Sequence, residues 1–350
     1  MAKRRKREST FGISIEPSWP LDYSVRLGVL AEKLASFSNV WVPDGGPQPP
    51  YSDCVVTLAA LASRTEKIKL GSAILNFYSR NPAWIASSFA AISDLASSAS
   101  GTSQQRMVLG IGIGADYNVS KFGIVDRKGT VPDLREAIES IRELFDGKRV
   151  TVRTNAFSID SVSIGRLKRK IPIYVGAAGP KALRLAGEIG DGAILTDRIP
   201  ADIQSSLRSI ELGLGDSSRS RSDIKVVNSV VISVDENGRR AKDAARTTCA
   251  YLVAWMDQSR AIELGVNAGL KGRIARYLDA GDERSASRIV DDKMIRLLTV
   301  SGTSHDCAEG CLEHLENDLD QIAFCEPFGP RPERSLRIIA REVIPRIQRK

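Results

Sequence analysis

Short apolar runs alternate along this chain with longer segments whose apolar residues recur at helical spacing. Phe11-Gly-Ile-Ser-Ile15 is the first run, ended by Glu16-Pro17, and Leu21 to Phe37 follows with Leu27, Leu30, Ala31 and Leu34 on one face. The run Val40-Trp-Val42 leads through the loop Pro43 to Pro50 into a predicted helix over 53–63. The pattern then predicts a strand over 67–75, a helix over 83–96 and a strand over Met107-Val-Leu-Gly-Ile111. Val131 to Phe145 is strongly amphipathic, with Leu134, Ala137, Ile138, Ile141 and Leu144 together. Residues 149–166 break the rhythm and alternate as an inserted β-hairpin would. The rhythm resumes with a strand at Ile171 to Val175, a helix at Pro180 to Ile189, the strand Gly192 to Leu195 and a helix over 201–214. A strand at Val226 to Val234, a largely helical insertion over 239–298, a helix over 304–318, the strand Gln321 to Phe324 and a helix over 332–348 complete the series.

About eight βα units with short, continuously apolar strands imply a parallel sheet covered by helices. Eight units predict a closed (β/α)8 TIM barrel with insertions, spanning 11–350 as one domain; a doubly wound open sheet is the alternative. Residues 1–10 form a basic tail expected to be disordered. It holds five cations, Lys3-Arg-Arg-Lys-Arg7, of a net charge of +8; the remainder of the chain is only +3. So mild an excess gives no argument for nucleic acid beyond a tail contact. Ser217 to Ser222 reads as a surface loop. Five cysteines, an odd number in a long chain, argue against a disulfide framework and for a reducing cytoplasm. No stretch of about 18 apolar residues predicts a membrane span.

In a barrel, chemistry collects in the loops after the strand C-termini. Several of these are rich in glycine: Gly71-Ser-Ala-Ile-Leu-Asn76, Gly110-Ile-Gly-Ile-Gly-Ala-Asp116 and Gly176-Ala-Ala-Gly-Pro-Lys181. Gly176 to Lys181 runs from a strand straight into a helix, whose free N–H groups and dipole suit a phosphate; Lys181 and Arg184 add positive charge. A bare βα turn is the alternative reading. Gly110-x-Gly112-x-x-Ala115 also fits a permissive dinucleotide fingerprint, but Asp-Tyr-Asn-Val is a poor helix start, and close packing against a ring explains these glycines better. Asp44 and Asp116 are the carboxylates best placed at strand ends for local electrostatics, and Glu16 carries a weaker form of the same argument. Cys307, Cys311 and His314 share a helical face; buried cysteines with an exposed histidine are preferred to a zinc site, so no metal is assigned.

The sequence resembles the bacterial-luciferase-like family, nearest the branch that uses the deazaflavin coenzyme F420, including 5,10-methylenetetrahydromethanopterin reductases. The resemblance lies in Lys67 to Asn76 with Arg80-Asn-Pro82, Val108 to Gly114, Ile171 to Asp197, and Ser301 through Glu326-Pro-Phe-Gly-Pro330 to Pro345. It implies an F420-dependent oxidoreductase acting on a small organic substrate, and a homodimer or homotetramer. It places a non-proline cis peptide at Ala73-Ile74 under the deazaflavin. The implied cofactor contacts are Asp44, Ala73, Ile74, Asn76, Gly112, Gly114, Ala115, Gly176, Ala177, Ala178, Gly179, Pro180 and Lys181, with Asp44 and Asp116 catalytic. Three positions depart from the family pattern: Ser14 replaces a strand-one glutamate, Ala115 an acid, and Gly45 a histidine. An FMN-dependent monooxygenase and a non-catalytic cofactor-binding homologue are the alternatives.

Overall fold

The computed structural model describes residues 9–16, 19–45, 53–101, 104–114 and 129–349. The expected basic run 3–7 lies outside them. Ser9 and Thr10, read from sequence as tail, are ordered: Thr10 opens the first strand and its N–H donates to Asp320 O at 2.9 Å.

Eight parallel strands close a TIM barrel: β1 (Thr10–Ser14), β2 (Asn39–Val42), β3 (Lys69–Ser72), β5 (Met107–Gly112), β8 (Ile173–Gly176), β9 (Gly192–Leu195), β10 (Lys225–Val234) and β12 (Gln321–Phe328). The ring order is β1-β2-β3-β5-β8-β9-β10-β12. The predicted third strand is split: β3 ends at Ser72, and a two-residue strand β4 (Leu75–Asn76) pairs onward with β5. Burial is continuous along β2, β5 and β9, which explains runs in the sequence without alternation.

The chain forms two compact units, residues through Ser229 with Asp318–Ala323, and Val230–Asn317 with Phe324 onward. In the first, the helices α1 (Leu21–Leu34), α2 (Cys54–Arg64), α3 (Pro82–Ser100), α4 (Val131–Phe145), α5 (Pro180–Ile189) and α6 (Pro200–Asp216) follow their strands. Their starts are set by local chemistry. Asp53 accepts the Val56 N–H at 2.9 Å, Asn81 caps α3 ahead of Pro82, and Thr130 with Asp133 forms a capping box on α4. The hairpin β6 (Val150–Arg153) and β7 (Ser158–Val162) lies between α4 and β8. Inside the strand ring, Trp41, Val108, Ile194, Val227 and Ala323 pack in one cluster with Ala73, Ile74 and Tyr174. Glycine makes room for the rings: a Cβ at Gly71 would lie 2.5 Å from Trp41, and one at Gly192 2.5 Å from Tyr174.

Two carboxylates lock the N-terminal end of this unit. Asp191, just before β9, accepts the Ile173 N–H at 2.9 Å and pairs with Lys170 and Arg142 at 2.7 and 3.2 Å. Asp320, just before β12, accepts the Val226 N–H at 2.9 Å and pairs with Arg221 and Lys225 at 2.8 and 3.1 Å. Each therefore ties the first residues of a neighbouring strand. Burial works against both charges, but the N–H groups and cations outweigh it and hold both carboxyls below their ordinary range. Arg221 corrects the surface-loop reading of 217–222: its guanidinium is buried because Asp320 demands it.

In the second unit, β10 pairs with the short strand β11 (Val300–Gly302). The helices α7 (Gly238–Trp255), α8 (Gln258–Glu263), α9 (Ala268–Asp279), α10 (Glu283–Ile289) and α11 (Asp292–Leu298) close over a core of their own, including Cys249, Ile274, Ala286 and Ile295. The helix α12 (Ser304–Leu315) buries Cys307, Cys311 and also His314, whose expected exposure is thus corrected. Burial lowers that imidazole to about 4 and keeps it neutral. The Cys307 thiol faces the carbonyls of Ser233, Val300 and Gly302, a packing role. The terminal helix is interrupted: α13 (Pro332–Ile338) and α14 (Ile344–Gln348) flank a π-helical segment, Ile339–Val343. Cys54, Cys249, Cys307, Cys311 and Cys325 are all buried, and none of them forms a disulfide. Among the described residues no helix is long and apolar enough to cross a membrane.

Replacing Arg221 with Met strips Asp320 of its buried partner and is expected to cost about 3 kcal/mol in urea unfolding. Arg26→Met, which removes an exposed pair with Asp22, is expected to cost less than about 1 kcal/mol. Asp191 and Asp320 titrate below their unfolded values, so their stabilisation is present above the ordinary aspartate range and is lost as pH falls through it. Arg221→Met should flatten that acid limb; an unchanged limb would count against the lock.

Candidate functional site at the C-terminal mouth of the barrel

Because the barrel strands are parallel, their C-terminal ends share one mouth. The first unit brings much of the predicted set there. The peptide Ala73-Ile74 is cis, between β3 and β4, as the family resemblance implies. Its surroundings are well tied: Ser72 Oγ donates to Gly110 O at 2.8 Å and accepts the Gly110 N–H at 3.0 Å, while the Ala73 N–H reaches Val42 O at 2.9 Å. The Ile74 side chain lies across the ends of β5 and β8. A Cβ at Gly176 would fall 2.5 Å from Ile74 Cγ2, and one at Gly112 3.2 Å from Ile74 Cδ1. The two strand ends are therefore free of side chains where they meet Ile74. Close approach of this isoleucine is the physical reason glycine stands at 176, whereas at 112 the nearest obstacle to a Cβ is the Gly176 carbonyl oxygen at 2.9 Å, with Ile74 next.

Other predicted residues have mixed placements. Asn76 Oδ1 accepts the Ser79 N–H at 2.8 Å, so this side chain shapes the turn that follows. Gly114 has a φ of 79°, and the Tyr78 hydroxyl donates to Ile113 O beside it. Asp44 follows β2, where its charge helps Asp53 raise the Cys54 thiol, after burial. Ala115 and Asp116 lie outside the described residues.

The turn from Gly176 to Lys181 forms the next corner. Ala177 is buried and its N–H donates to Ile194 O at 3.1 Å, whereas Ala178, Gly179, Pro180 and Lys181 are exposed. Gly179 is the N-cap of α5, no side chain caps this end, and Pro180 occupies the first position. The space a Gly179 Cβ would take is open. The corner thus offers the helix dipole and first-turn amides to an anion. Arg184, expected to add charge here, is committed elsewhere, to Asp216 at 2.6 Å and Glu188 at 3.4 Å.

A cation that reaches the turn from another loop is Arg198, whose guanidinium donates through Nη2 to Ala178 O. Its backbone is held by Asn228, fully buried on β10: the Arg198 N–H donates to Asn228 Oδ1 at 3.3 Å, and Asn228 Nδ2 donates to Arg198 O at 2.9 Å. Asp197, beside it, has a φ of 48°, a left-handed backbone that aspartate tolerates better than most residues. The Asp197 N–H donates to Ser229 Oγ at 3.2 Å, and that hydroxyl donates to Leu195 O at 3.1 Å.

Two carboxyls at the mouth are perturbed. Glu16, after β1, is pushed up to about 7, by burial first and the Asp197 charge second, against a hydrogen bond from Ser14 Oγ at 3.3 Å. Asp197, after β9, is pushed up to about 6 by burial, opposed by Arg198. Ser14 thus donates to an acid two residues on. Such a pair can keep a proton near neutral pH, a usual property of acid–base sites. The loop Thr196-Asp-Arg198 follows a strand like the others, and reading it by the same rule would have raised Asp197 and Arg198 as candidates.

Known proteins resemble this chain over most of its length. The family model for luciferase-like monooxygenases matches residues 9–320. The 5,10-methylenetetrahydromethanopterin reductase of Archaeoglobus fulgidus is 32% identical, over 97% of this chain and 99% of its own. The F420-dependent glucose-6-phosphate dehydrogenase of Microbacterium testaceum is 28% identical over 92% of each. The structure of the coenzyme F420-dependent tetrahydromethanopterin reductase from Methanopyrus kandleri superposes with a TM-score of 0.86 at 26% identity, covering 97% of this chain and 99% of that one.

The contact between Ile74 and Gly176 can be tested without any ligand. Gly176→Ala forces a branched side chain aside and is expected to destabilise the chain by about 1–3 kcal/mol. Adding Ile74→Ala should return part of that loss, a coupling measured by a double-mutant cycle in urea. Strictly additive losses would show that the two residues do not press on one another.

Proposed function

Because this chain belongs to the luciferase-like monooxygenase family, we propose that it is a coenzyme F420-dependent oxidoreductase. Its substrate in this reading is a tetrahydromethanopterin carrying a one-carbon group. The observation that carries the reading is the wall at the mouth, where Ile74 packs against Gly112 and Gly176. A flat ring can lie on such a surface. The names of the reductase relatives support the same reading.

The residues fit an F420-like molecule. Ile74 backs the ring, with Ala73, Gly112 and Gly114 beside it. The uncapped first turn of α5, the open space at Gly179, and the exposed Ala178, Pro180 and Lys181 receive its phosphate. Asn76 holds the turn after β4 in shape. When bound, F420 supplies the carbon that gives or takes the hydride; the protein fixes the distance and excludes competing chemistry. Glu16 holds a proton at neutral pH for a substrate nitrogen, with Asp197 helping to keep it there. Asp44 adds a second negative group at the mouth, and Asp116 is retained as a further candidate acid.

The five buried, reduced thiols suit a cytoplasmic setting. Val56 on α2 and Trp84 on α3, exposed to 53% and 70%, support self-association into a homodimer or homotetramer.

Titration of the purified chain should show saturable binding of F420 and none of FMN, with hydride transfer to methylenetetrahydromethanopterin followed by deazaflavin absorbance. Tight FMN binding without F420 binding contradicts the proposal; F420 binding without turnover on any reduced or oxidised pterin marks a non-catalytic homologue. Glu16→Gln should abolish turnover while raising the melting temperature at pH 8. The sign follows from the raised carboxyl: stability is highest below its unfolded value of 4.5 and declines as pH rises towards about 7, a penalty Gln does not carry. In the unsubstituted chain, reductase turnover should fall as pH rises through about 7.

A further inference from the structure

We propose that the N-terminal end of the barrel carries a second binding site, for a small organic carboxylate, walled by Lys170, Pro172, Tyr174, Ile224 and Lys225. It lies at the opposite end from the mouth and does not rest on the F420 reading.

The site is a cavity of about 300 Å³ where the chain enters β8, β9 and β10. Tyr174, the second residue of β8, sends its ring into the barrel. The ring packs on Trp41 at a centroid distance of 5.8 Å, and glycine at 192 leaves it room. The charges that act on its hydroxyl are those of Asp320 and Asp191, the two carboxylates of the N-terminal lock, so the hydroxyl lies at that end. Burial first, then these charges, push it up to about 12 and keep it protonated. It makes no hydrogen bond among the described residues. A half-buried hydroxyl without a partner, on the wall of a cavity, is a donor left for a ligand.

The rim adds donors rather than acceptors. Lys170 and Lys225 are the exposed members of their pairs with Asp191 and Asp320, at 74% and 56% against 22% and 8%. Both carboxylates are already held without them, Asp191 by the Ile173 N–H and Arg142, Asp320 by the Val226 N–H and Arg221. Each ammonium therefore has N–H groups to spare. The other carboxylate on the wall, Asp223, is turned to Ser220, whose N–H and hydroxyl it accepts at 2.8 and 2.9 Å. Acceptors are committed here and donors are left over, which selects an anion. Pro172 and Ile224 select one with a short apolar body, because they offer nothing to a hydrated inorganic oxyanion.

The test watches the Tyr174 hydroxyl directly. The full chain, isotopically labelled at Cζ of its tyrosines, is titrated with butyrate by NMR; the Tyr174 signal is the one missing from Tyr174→Phe. This signal is expected to shift saturably while the other tyrosine signals stay in place. Lys170→Met combined with Lys225→Met should weaken binding about 10-fold, the size of one charge-assisted contact. Lys225→Arg, which keeps the charge, should bind like the parent. Inorganic phosphate should bind more weakly than butyrate. No shift, an equal shift with sodium chloride at the same ionic strength, phosphate binding as tight as that of butyrate, or undiminished affinity in the double variant would each overturn the proposal. If the double variant loses its fold, seen as movement of the other tyrosine signals, Lys170→Met alone decides: part of the affinity should be lost, and parent-like binding overturns the proposal.

Discussion

The site depends on how closely Ile74 approaches the ends of β5 and β8. A side chain at 176 would occupy the space that Ile74 fills, and one at 112 would press on the Gly176 carbonyl and then on Ile74, so both positions are glycine. The approach is set by the bulge between β3 and β4, where Ser72 takes the place of ladder bonds to Gly110. A barrel that simply continued its third strand would have a ridge of side chains at this point. Here it has a smooth wall flanked by a helix N-terminus, which is what a phosphorylated ring system requires of a protein.

The second ingredient is the strand-end loop Thr196-Asp-Arg198. It serves two directions at once. Asp197 raises the proton affinity of Glu16, while Arg198 turns to Ala178 and the start of α5. Asn228 and Ser229 of β10 hold both backbones, so the geometry of this loop is part of the barrel rather than an independent surface segment. Burial raises both carboxyls, Glu16 to about 7 and Asp197 to about 6, and holding charge there lowers stability at neutral pH, a cost commonly found where proton chemistry is done. The opposite end of the unit shows the contrasting case, in which Asp191 and Asp320 are surrounded by cations and N–H groups and stay charged.

Much of the fold was legible because parallel strands are buried on both faces and appear as unbroken apolar runs, as in β2, β5 and β9. Ring closure was less direct: repeat number suggested it, but it rests on β12 lying beside β1, where Thr10 and Asp320 meet across a sequence separation of 310. Composition misled where charge is buried. The Ser/Arg-rich stretch 217–222 looks solvated, yet Arg221 is enclosed because its partner Asp320 arrives from the far end of the chain. His314 is likewise buried on a helix whose pattern allowed either face. At the site, the glycines announced themselves through their spacing. Glu16 is only a weak candidate by position, and the pattern passes over Asp197 and Arg198, although they too follow a strand; the perturbation of the two carboxyls comes from burial, which strand-end position does not reveal.

The most direct measurement of this account is a crystal structure of the chain with F420 bound. The deazaflavin ring is expected against Ile74 and the ends of β5 and β8, with its phosphate at the first turn of α5. A ring bound away from Ile74, or a phosphate directed away from α5, would contradict it.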